Sequence, residues 1–166
     1  MNLRLPLLKQ IVSYTNPYYE ALLASLYLEE FVRNLLQGNS LISSYYSVQQ
    51  ILPIIWKNIN FDMKVLDILW QLLENEIWTF SREEIKASHH IVESLEALIW
   101  VLTQTNSYID AVLQAVNLGG DTASIGALTG AIAGILYTEK NIPNDWFDKL
   151  LLFEQVERLI ITFNSC

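Results

Sequence analysis

One carboxylate and two hydroxyl groups follow a glycine pair in the most glycine-rich part of the chain. Gly119 and Gly120 permit a sharp backbone reversal, and Asp121, Thr122 and Ser124 come directly after it. A Gly/Ala-rich stretch follows, so Asp121 stands where a helix would begin. An aspartate there commonly caps the free N–H groups of the first turn, or it serves as a ligand for a hard cation. The residues alone leave both roles open.

Two further pairs of side chains have types that could do chemistry. His89 and His90 are adjacent, so on a helix they point about 100° apart and lack the i, i+4 spacing of a shared metal site. This arrangement is typical of a polar helix entrance. Glu93 and Glu96 lie three residues apart on one helix face, where two carboxyl groups can pair for acid–base work. A solvated helix face is the commoner arrangement for such a pair.

The apolar residues recur mostly with helical spacing, and no segment alternates like a strand. We therefore expect an all-α, compact multi-helix bundle of seven or eight helices. The predicted helices span about 17–37, 41–58, 62–77, 90–103, 106–117, a Gly/Ala-rich segment up to Tyr137, and 143–164. Expected start signals are Thr15 or Asn16 with Pro17, Ser40, Asp62, and a capping box of Ser81 with Glu84. Pro53 predicts a kink or break near Leu52.

The Gly/Ala-rich helix raises an energetic question. Gly126, Gly130 and Gly134 lie four apart on one face, and each costs about 0.5–1 kcal/mol relative to alanine. A face without side-chain bulk lets a neighbouring backbone approach, and the resulting dispersion contacts offset that cost. We expect this helix to be buried and tightly crossed by its neighbours.

Composition excludes several classes of protein. The 166 residues carry a net charge of −8, and the 10 Lys and Arg are scattered, which argues against a nucleic-acid-binding protein. No apolar segment reaches the roughly 20 residues of a membrane span, and the first residues do not resemble a cleaved signal peptide. Cys166 is the only cysteine, which favours the cytoplasm. A single domain over 1–166 is expected, with hydrophobic residues at 52% indicating a large core or an apolar face for a partner.

Three segments together resemble the ADP-ribosylglycohydrolase family. They are SYTNPYYEALLASLYLEEFVRNLLQGNS, SHHIVESLEALIWVL and NLGGDTASIGALTGAIAGILYTEKNIPNDWFDKL. They are similar, in order, to the family's Thr-His-Pro helix, its Gly-Tyr-Val-Val-x-Thr-Leu-Glu-Ala-Ala-Leu-Trp segment and its Gly-Gly-Asp-Thr-Asp-Thr turn with Ile-Pro-x-x-Trp downstream. The resemblance implies an all-α fold and removal of ADP-ribose from modified proteins or conjugates with two Mg²⁺ ions.

The resemblance also implies site residues. Asp121, Thr122 and Ser124 match metal ligands of the family turn, while Gly119, Gly120, Asn16 and His90 match positions that contact the ADP-ribosyl group. Asn16 stands in place of the family histidine, and His89 with His90 replace its Gly-Tyr.

Two departures from the family pattern bear on activity. Ala123 stands where the second aspartate of the turn belongs, and no Thr-Asp-Asp occurs in the sequence. The chain is therefore expected to be a partial domain, the C-terminal half, which is inactive or incomplete on its own. It would work with a complementary N-terminal half, as a homo-oligomer, or as a non-catalytic module that binds ADP-ribose or a protein. Whether it is itself an enzyme is left open.

Overall fold

A computed structural model describes residues 3–59 and 62–165. Its α-helices are α1 (Arg4–Ser13), α2 (Tyr19–Leu36), α3 (Leu41–Asn58), α4 (Trp70–Glu74), α5 (Ile91–Gln104), α6 (Tyr108–Asn117), α7 (Thr122–Tyr137), α8 (Asn144–Phe147) and α9 (Phe153–Asn164). Short 3₁₀ helices lie at Met63–Leu69, Ile77–Thr79, Arg82–Glu84 and Glu139–Asn141. The two described ranges contain no strand, which confirms the all-α prediction.

Helix α5 lies at the centre of the bundle. From Leu95 to Leu102 each of its residues is buried, so it presents a packed surface in every direction over two turns. Helices α2, α3, α6 and α7 pack around it. The largest wholly buried side chains come from α2 and α3, and are Tyr27, Phe31, Tyr45 and Trp56. The core is therefore one continuous cluster built on α5.

The Gly/Ala-rich helix α7 packs closely against α6, but it is only partly buried and not central as predicted, since Ala123, Ala127 and Ala131 are exposed. A Cβ built on Gly126 would lie 3.1 Å from Val116 Cγ2, and one on Gly130 would lie 3.3 Å from the Tyr108 hydroxyl. Both neighbours belong to α6, so the glycines admit the close approach of that helix. Gly134 differs, because a Cβ there would meet nothing within 4 Å. Two of the three glycines therefore have the predicted packing role.

The segment 62–77 does not form the single α-helix that the sequence predicts. It forms a 3₁₀ helix at Met63–Leu69, the five-residue α4, and a further 3₁₀ turn at Ile77–Thr79. Leu66, Leu69 and Leu72 are all buried and recur every three residues. That spacing matches the three residues per turn of a 3₁₀ helix, which keeps this row on the core.

The two ends of the chain also differ from prediction. The predicted helix 143–164 is divided into α8 and α9, because Leu152 adopts a left-handed conformation with φ of 62°. The rings of Phe147 and Phe153 then meet edge to face, 5.5 Å apart. Helix α1 lies outside the predicted helices; none of its residues is fully buried, and its Leu5 and Leu8 are half-buried against the core.

The predicted helix starts hold only in part: the N-cap residue of α2 is Tyr18, not Thr15 or Asn16, and it makes no side-chain capping bond. Helix α2 begins at Tyr19, two residues beyond Pro17, and Asn16 accepts a hydrogen bond from Tyr18 N at 3.2 Å. Ser40 caps α3, which continues through Pro53 without the predicted break. The Ser81–Glu84 capping box is present but starts only a 3₁₀ turn. Among the helices of the described ranges, none is both long and apolar enough to cross a membrane.

Candidate functional site

The glycine pair before α7 forms a tight turn against the segment that precedes α5. Gly119 and Gly120 have φ of 79° and 63°, values that favour glycine. A Cβ on Gly120 would lie 1.6 Å from the Ala87 carbonyl oxygen, so the two backbones are in direct contact. The Asp121 N–H donates to that same oxygen at 3.0 Å. The turn is therefore fixed to residues 87–89 by backbone packing and a backbone hydrogen bond.

Both oxygens of the Asp121 carboxylate have partners within the chain. Oδ1 accepts the Ser124 N–H at 3.2 Å and caps α7, while Oδ2 lies 2.8 Å from His89 Nδ1. Hydrogen bonding from Ser124, and then from His89, lowers the pKa of Asp121 below its ordinary value. The carboxylate is therefore held as an anion at the entrance of the helix, where the helix dipole also favours negative charge.

Asp121 lies on a cleft between α2, α5 and α7, here called the Asp121 cleft. Its volume is about 430 Å³. Polar side chains from four parts of the chain line it, and apolar side chains of α2, α5 and α7 form the rest of the wall. The lining residues are Asn16, Ser25, His89, Ser94, Asp121 and Ser124, with Ala24, Leu28, Ile91, Leu95 and Leu128. This combination of one anion, neutral hydrogen-bonding groups and an apolar wall suits a hydroxylated organic ligand.

The cleft brings together some of the residues that the sequence singles out. Asn16, Asp121 and Ser124 line it, although Asn16 is more than 100 positions away in the sequence. Gly119 and Gly120 act through the turn and do not line the cleft. Thr122 is the first residue of α7, half-buried and outside the lining.

The two histidines have different surroundings. His90 is the N-cap residue of α5 and faces away from the Asp121 cleft, with Nε2 3.8 Å from Glu20 Oε2. His89 is the one that reaches Asp121, across 32 positions of sequence. His89 and His90 are adjacent in the sequence, and nothing in their local pattern indicates which one faces the cleft.

His90 lines a second cleft, here called the Glu96 cleft, on the other side of α5. This cleft has a volume of about 240 Å³ and is lined by Ile68, Trp70, Gln71, Glu84, Lys86, His90, Val92, Glu93 and Glu96. Glu96 is only 8% exposed, so it does not belong to a solvated helix face. Burial, and then the nearby Glu93 charge, raises its pKa from 4.5 to about 7. With its amide nitrogen turned inward, Gln71 donates to Glu96 Oε2 at 2.9 Å.

The residues present do not fit a two-metal centre at Asp121. Magnesium prefers six oxygen ligands, and protein sites supply one or more carboxylates with the remainder as water or substrate. Asp121 is the one carboxylate of the cleft, and both its oxygens are engaged. The exposed side chain of Ala123 offers no donor. Within residues 3–59 and 62–165, no group of three or more His, Cys, Asp and Glu is placed to hold a metal ion.

Comparison with known proteins gives a match over nearly the whole chain. The model of the family described as ADP-ribosylglycohydrolase matches residues 5–164. A protein named ADP-ribosylarginine hydrolase Tri1, from Serratia proteamaculans (strain 568), is 45% identical over 78 residues, covering 47% of this chain and 21% of that protein.

Two further relatives have lower identity. The ADP-ribosylarginine hydrolase Tri1 of Pseudomonas putida (strain GB-1) is 35% identical over 79 residues, which are 48% of this chain and 21% of that protein. The ADP-ribosyl-[dinitrogen reductase] glycohydrolase of Rhodospirillum rubrum is 35% identical over 75 residues, 45% of this chain and 25% of that protein. The matched part of the chain thus spans about a fifth to a quarter of the length of these relatives.

Proposed function

The chain belongs to the ADP-ribosylglycohydrolase family, and on that premise we propose that its Asp121 cleft binds an ADP-ribosyl group. The observation that carries the proposal is the meeting of Asn16, from before α2, with Asp121 and Ser124, from the start of α7, on one cleft. These are the residues that match the family's substrate and turn positions.

The chemistry of the cleft supports a nucleotide-sugar ligand. Ribose hydroxyls both donate and accept, so they pair with the Asp121 carboxylate, the Asn16 amide and the Ser94 or Ser124 hydroxyl. The apolar wall, including Leu28 and Ile91, offers a surface for a purine ring. A volume of about 430 Å³ lies within the range of small-molecule sites.

The relatives' names concern the release of ADP-ribose from modified proteins, and an ADP-ribosylated protein is the substrate class that we assign to this site. Hydrolysis with two Mg²⁺ ions, which the resemblance implies, requires carboxylates that the described residues do not bring to the cleft. We infer that the chain is inactive or incomplete by itself, and that it works in the cytoplasm.

A second candidate is a helical protein-interaction module. Helix α9 has no buried residue, and Leu159, Ile160, Ile161 and Phe163 are exposed on it. Helix α9 also carries Glu154, Glu157 and Arg158, so it is amphipathic, and its exposed apolar side chains offer a surface for a complementary N-terminal half or for a second copy of the chain. This candidate is compatible with ADP-ribose binding, because no residue of α8 or α9 is among those that line the Asp121 cleft.

Isothermal titration calorimetry with ADP-ribose tests the proposed ligand. The wild type should bind, and Asn16→Ala should weaken the affinity by about fivefold, the equivalent of one hydrogen bond. His90→Ala is the matched control, because His90 faces the other cleft, and its affinity should equal that of the wild type. If folded wild-type protein gives no binding heat, or if Asn16→Ala binds as well as wild type, the proposed site is wrong.

A further inference from the structure

Both oxygens of the Asp121 carboxylate are hydrogen-bonded within the chain, one to His89 and one to the first turn of α7. Metal-binding carboxylates keep oxygen lone pairs directed at the ion, and their orientation is fixed by surrounding hydrogen bonds. Here Oδ2 is directed at His89 Nδ1, 2.8 Å away, and Oδ1 is directed at the backbone of α7. The Asp121 side chain is 14% exposed, whereas that of His89 is 89% exposed.

The position of His89 is built into the backbone. Residues 87–89 and 119–121 are joined by the Asp121 N–H bond to the Ala87 carbonyl oxygen and by the direct packing of Gly120 on Ala87. Ser88, between them, is held by its own hydrogen bonds to Glu93 and to His90 N. The backbone that carries His89 is therefore held close to Asp121, two residues beyond the contact of Ala87 with the glycine turn.

We propose that His89 takes the place of a metal ion at Asp121, so that the Asp121 cleft binds its ADP-ribosyl ligand without a divalent cation. This inference rests on the proposed function for the identity of the ligand. The proposal is supported by the contacts of Asp121 with His89 and Ala87, and by the packing of Gly120 on Ala87.

The His89 imidazole contributes a hydrogen-bonding group to the cleft. An Nδ1–H donates to the Asp121 carboxylate, which leaves Nε2 at the rim, where it can bond a ribose hydroxyl or a phosphate oxygen. The other polar residues of the cleft, Asn16, Ser25, Ser94 and Ser124, carry no charge. Because Ala123, two positions beyond Asp121, has no carboxylate, a divalent cation would find one carboxylate here, and that one is already hydrogen-bonded. The imidazole is therefore the group that faces the aspartate's charge.

Manganese binding tests the occupancy of Asp121 without any ADP-ribose. Free Mn²⁺ is followed by electron paramagnetic resonance during titration of the wild type, Ala123→Asp, and the double variant His89→Ala with Ala123→Asp. The wild type should bind no Mn²⁺ through Asp121 below 1 mM. The double variant should bind at least tenfold more tightly than Ala123→Asp, because the added carboxylate then meets an Asp121 released from His89.

The matched control joins Ala123→Asp with His90→Ala, which should bind Mn²⁺ like Ala123→Asp alone. His89 and Ala123 are both exposed, and circular dichroism verifies that each variant is folded. The proposal is overturned if the double variant gains less than tenfold. It is also overturned if the wild type binds Mn²⁺ with a Kd below 1 mM that Asp121→Asn removes.

ADP-ribose calorimetry gives the second test. The affinity of the wild type should differ by less than threefold between EDTA and 1 mM Mg²⁺, and a larger gain with Mg²⁺ would contradict the proposal. His89→Ala should bind ADP-ribose more weakly in EDTA and recover part of the loss with Mg²⁺, whereas a variant that merely lost packing would not recover. Absence of ADP-ribose binding under every condition refutes the proposed function, and the Mn²⁺ titrations still decide the role of His89.

Discussion

Glu96 is a buried carboxyl group whose ionisation opposes folding. Its side chain lies in the Glu96 cleft beside Gln71, with Glu93, Glu84, Lys86 and His90 around the same cleft. Burial raises its pKa from 4.5 to about 7 in the folded state. Between these two values the folded protein binds more protons than the unfolded chain. The free energy of unfolding therefore falls as pH rises from about 4.5 to 7.

We predict that Glu96→Gln removes this pH dependence. Glutamine keeps the shape and a hydrogen bond to Gln71 but has no charge to bury. The variant should match the wild type near pH 4.5 and be more stable by about 1–3 kcal/mol above pH 7, the lower figure allowing for solvent at the cleft mouth. Urea unfolding at a series of pH values measures the difference.

Glu93→Gln is the control of opposite sign for that experiment. The Ser88 hydroxyl bonds the Glu93 carboxylate and lowers its pKa, so this carboxylate favours folding when it is ionised. Its contribution is present above its unfolded pKa and lost as pH falls. Glu93→Gln should lose stability at neutral pH. If Glu96→Gln loses stability there too, the ionised Glu96 carboxylate stabilises the folded protein and the prediction is wrong.

Among the elements, α7 combines two kinds of glycine in one helix. Gly126 and Gly130 face α6 at distances that leave no room for an added methyl group without displacement of a neighbour. Gly134 has the same helical backbone and open space around it. Close packing therefore offsets the low helix propensity of Gly126 and Gly130. Gly134 has no such contact to offset its own.

Gly134→Ala should stabilise the protein by about 0.5–1 kcal/mol, since alanine is the better helix former and meets no clash. Gly126→Ala should give no such gain, because its Cβ would lie 3.1 Å from Val116 Cγ2, on a β-branched side chain that cannot turn aside. Thermal and urea unfolding of the two variants make the comparison. Equal stabilisation by both would mean that α6 does not pack tightly on Gly126.

For the whole molecule, burial is distributed very unevenly between the centre and the ends of the chain. Helix α5 is buried over two turns, while α1 and α9 have no buried residue. Helix α1 is tied to α2 by ion pairs of Arg4 with Glu29 and Glu30. Helix α9 lies within the region matched by the family model, yet Phe163 on it is 81% exposed.

Native-state hydrogen exchange should follow this distribution. Amides of α5 should exchange only through global unfolding, while those of α9 should exchange orders of magnitude faster through local opening. The measurement is made at several protein concentrations. Protection of α9 equal to that of α5 in dilute solution would contradict the exposed position of α9, and protection that grows with concentration would identify a second copy as its cover.

Local spacing in the sequence determined much of this protein. The all-α class, helices α3, α5, α6 and α7, and the Ser40 cap depend on contacts within about four residues. The glycine pair signals the turn before α7 locally, although Ala87 also holds that turn. Asp121 as a cap of α7 is of the same kind, because its Oδ1 bonds a residue three positions away. The family resemblance also lay in short motifs, and the family match over 5–164 confirms it.

Only the tertiary structure decided the rest. Neither the choice of which adjacent histidine meets Asp121 nor the burial of Glu96 has a local signal. Each depends on what a distant segment presents, as when His89 meets an aspartate 32 positions away. Helical periodicity records which face of a helix is apolar, but not which residue of another helix it meets. The role proposed for His89 therefore depends on the tertiary structure, which brings its imidazole to Asp121.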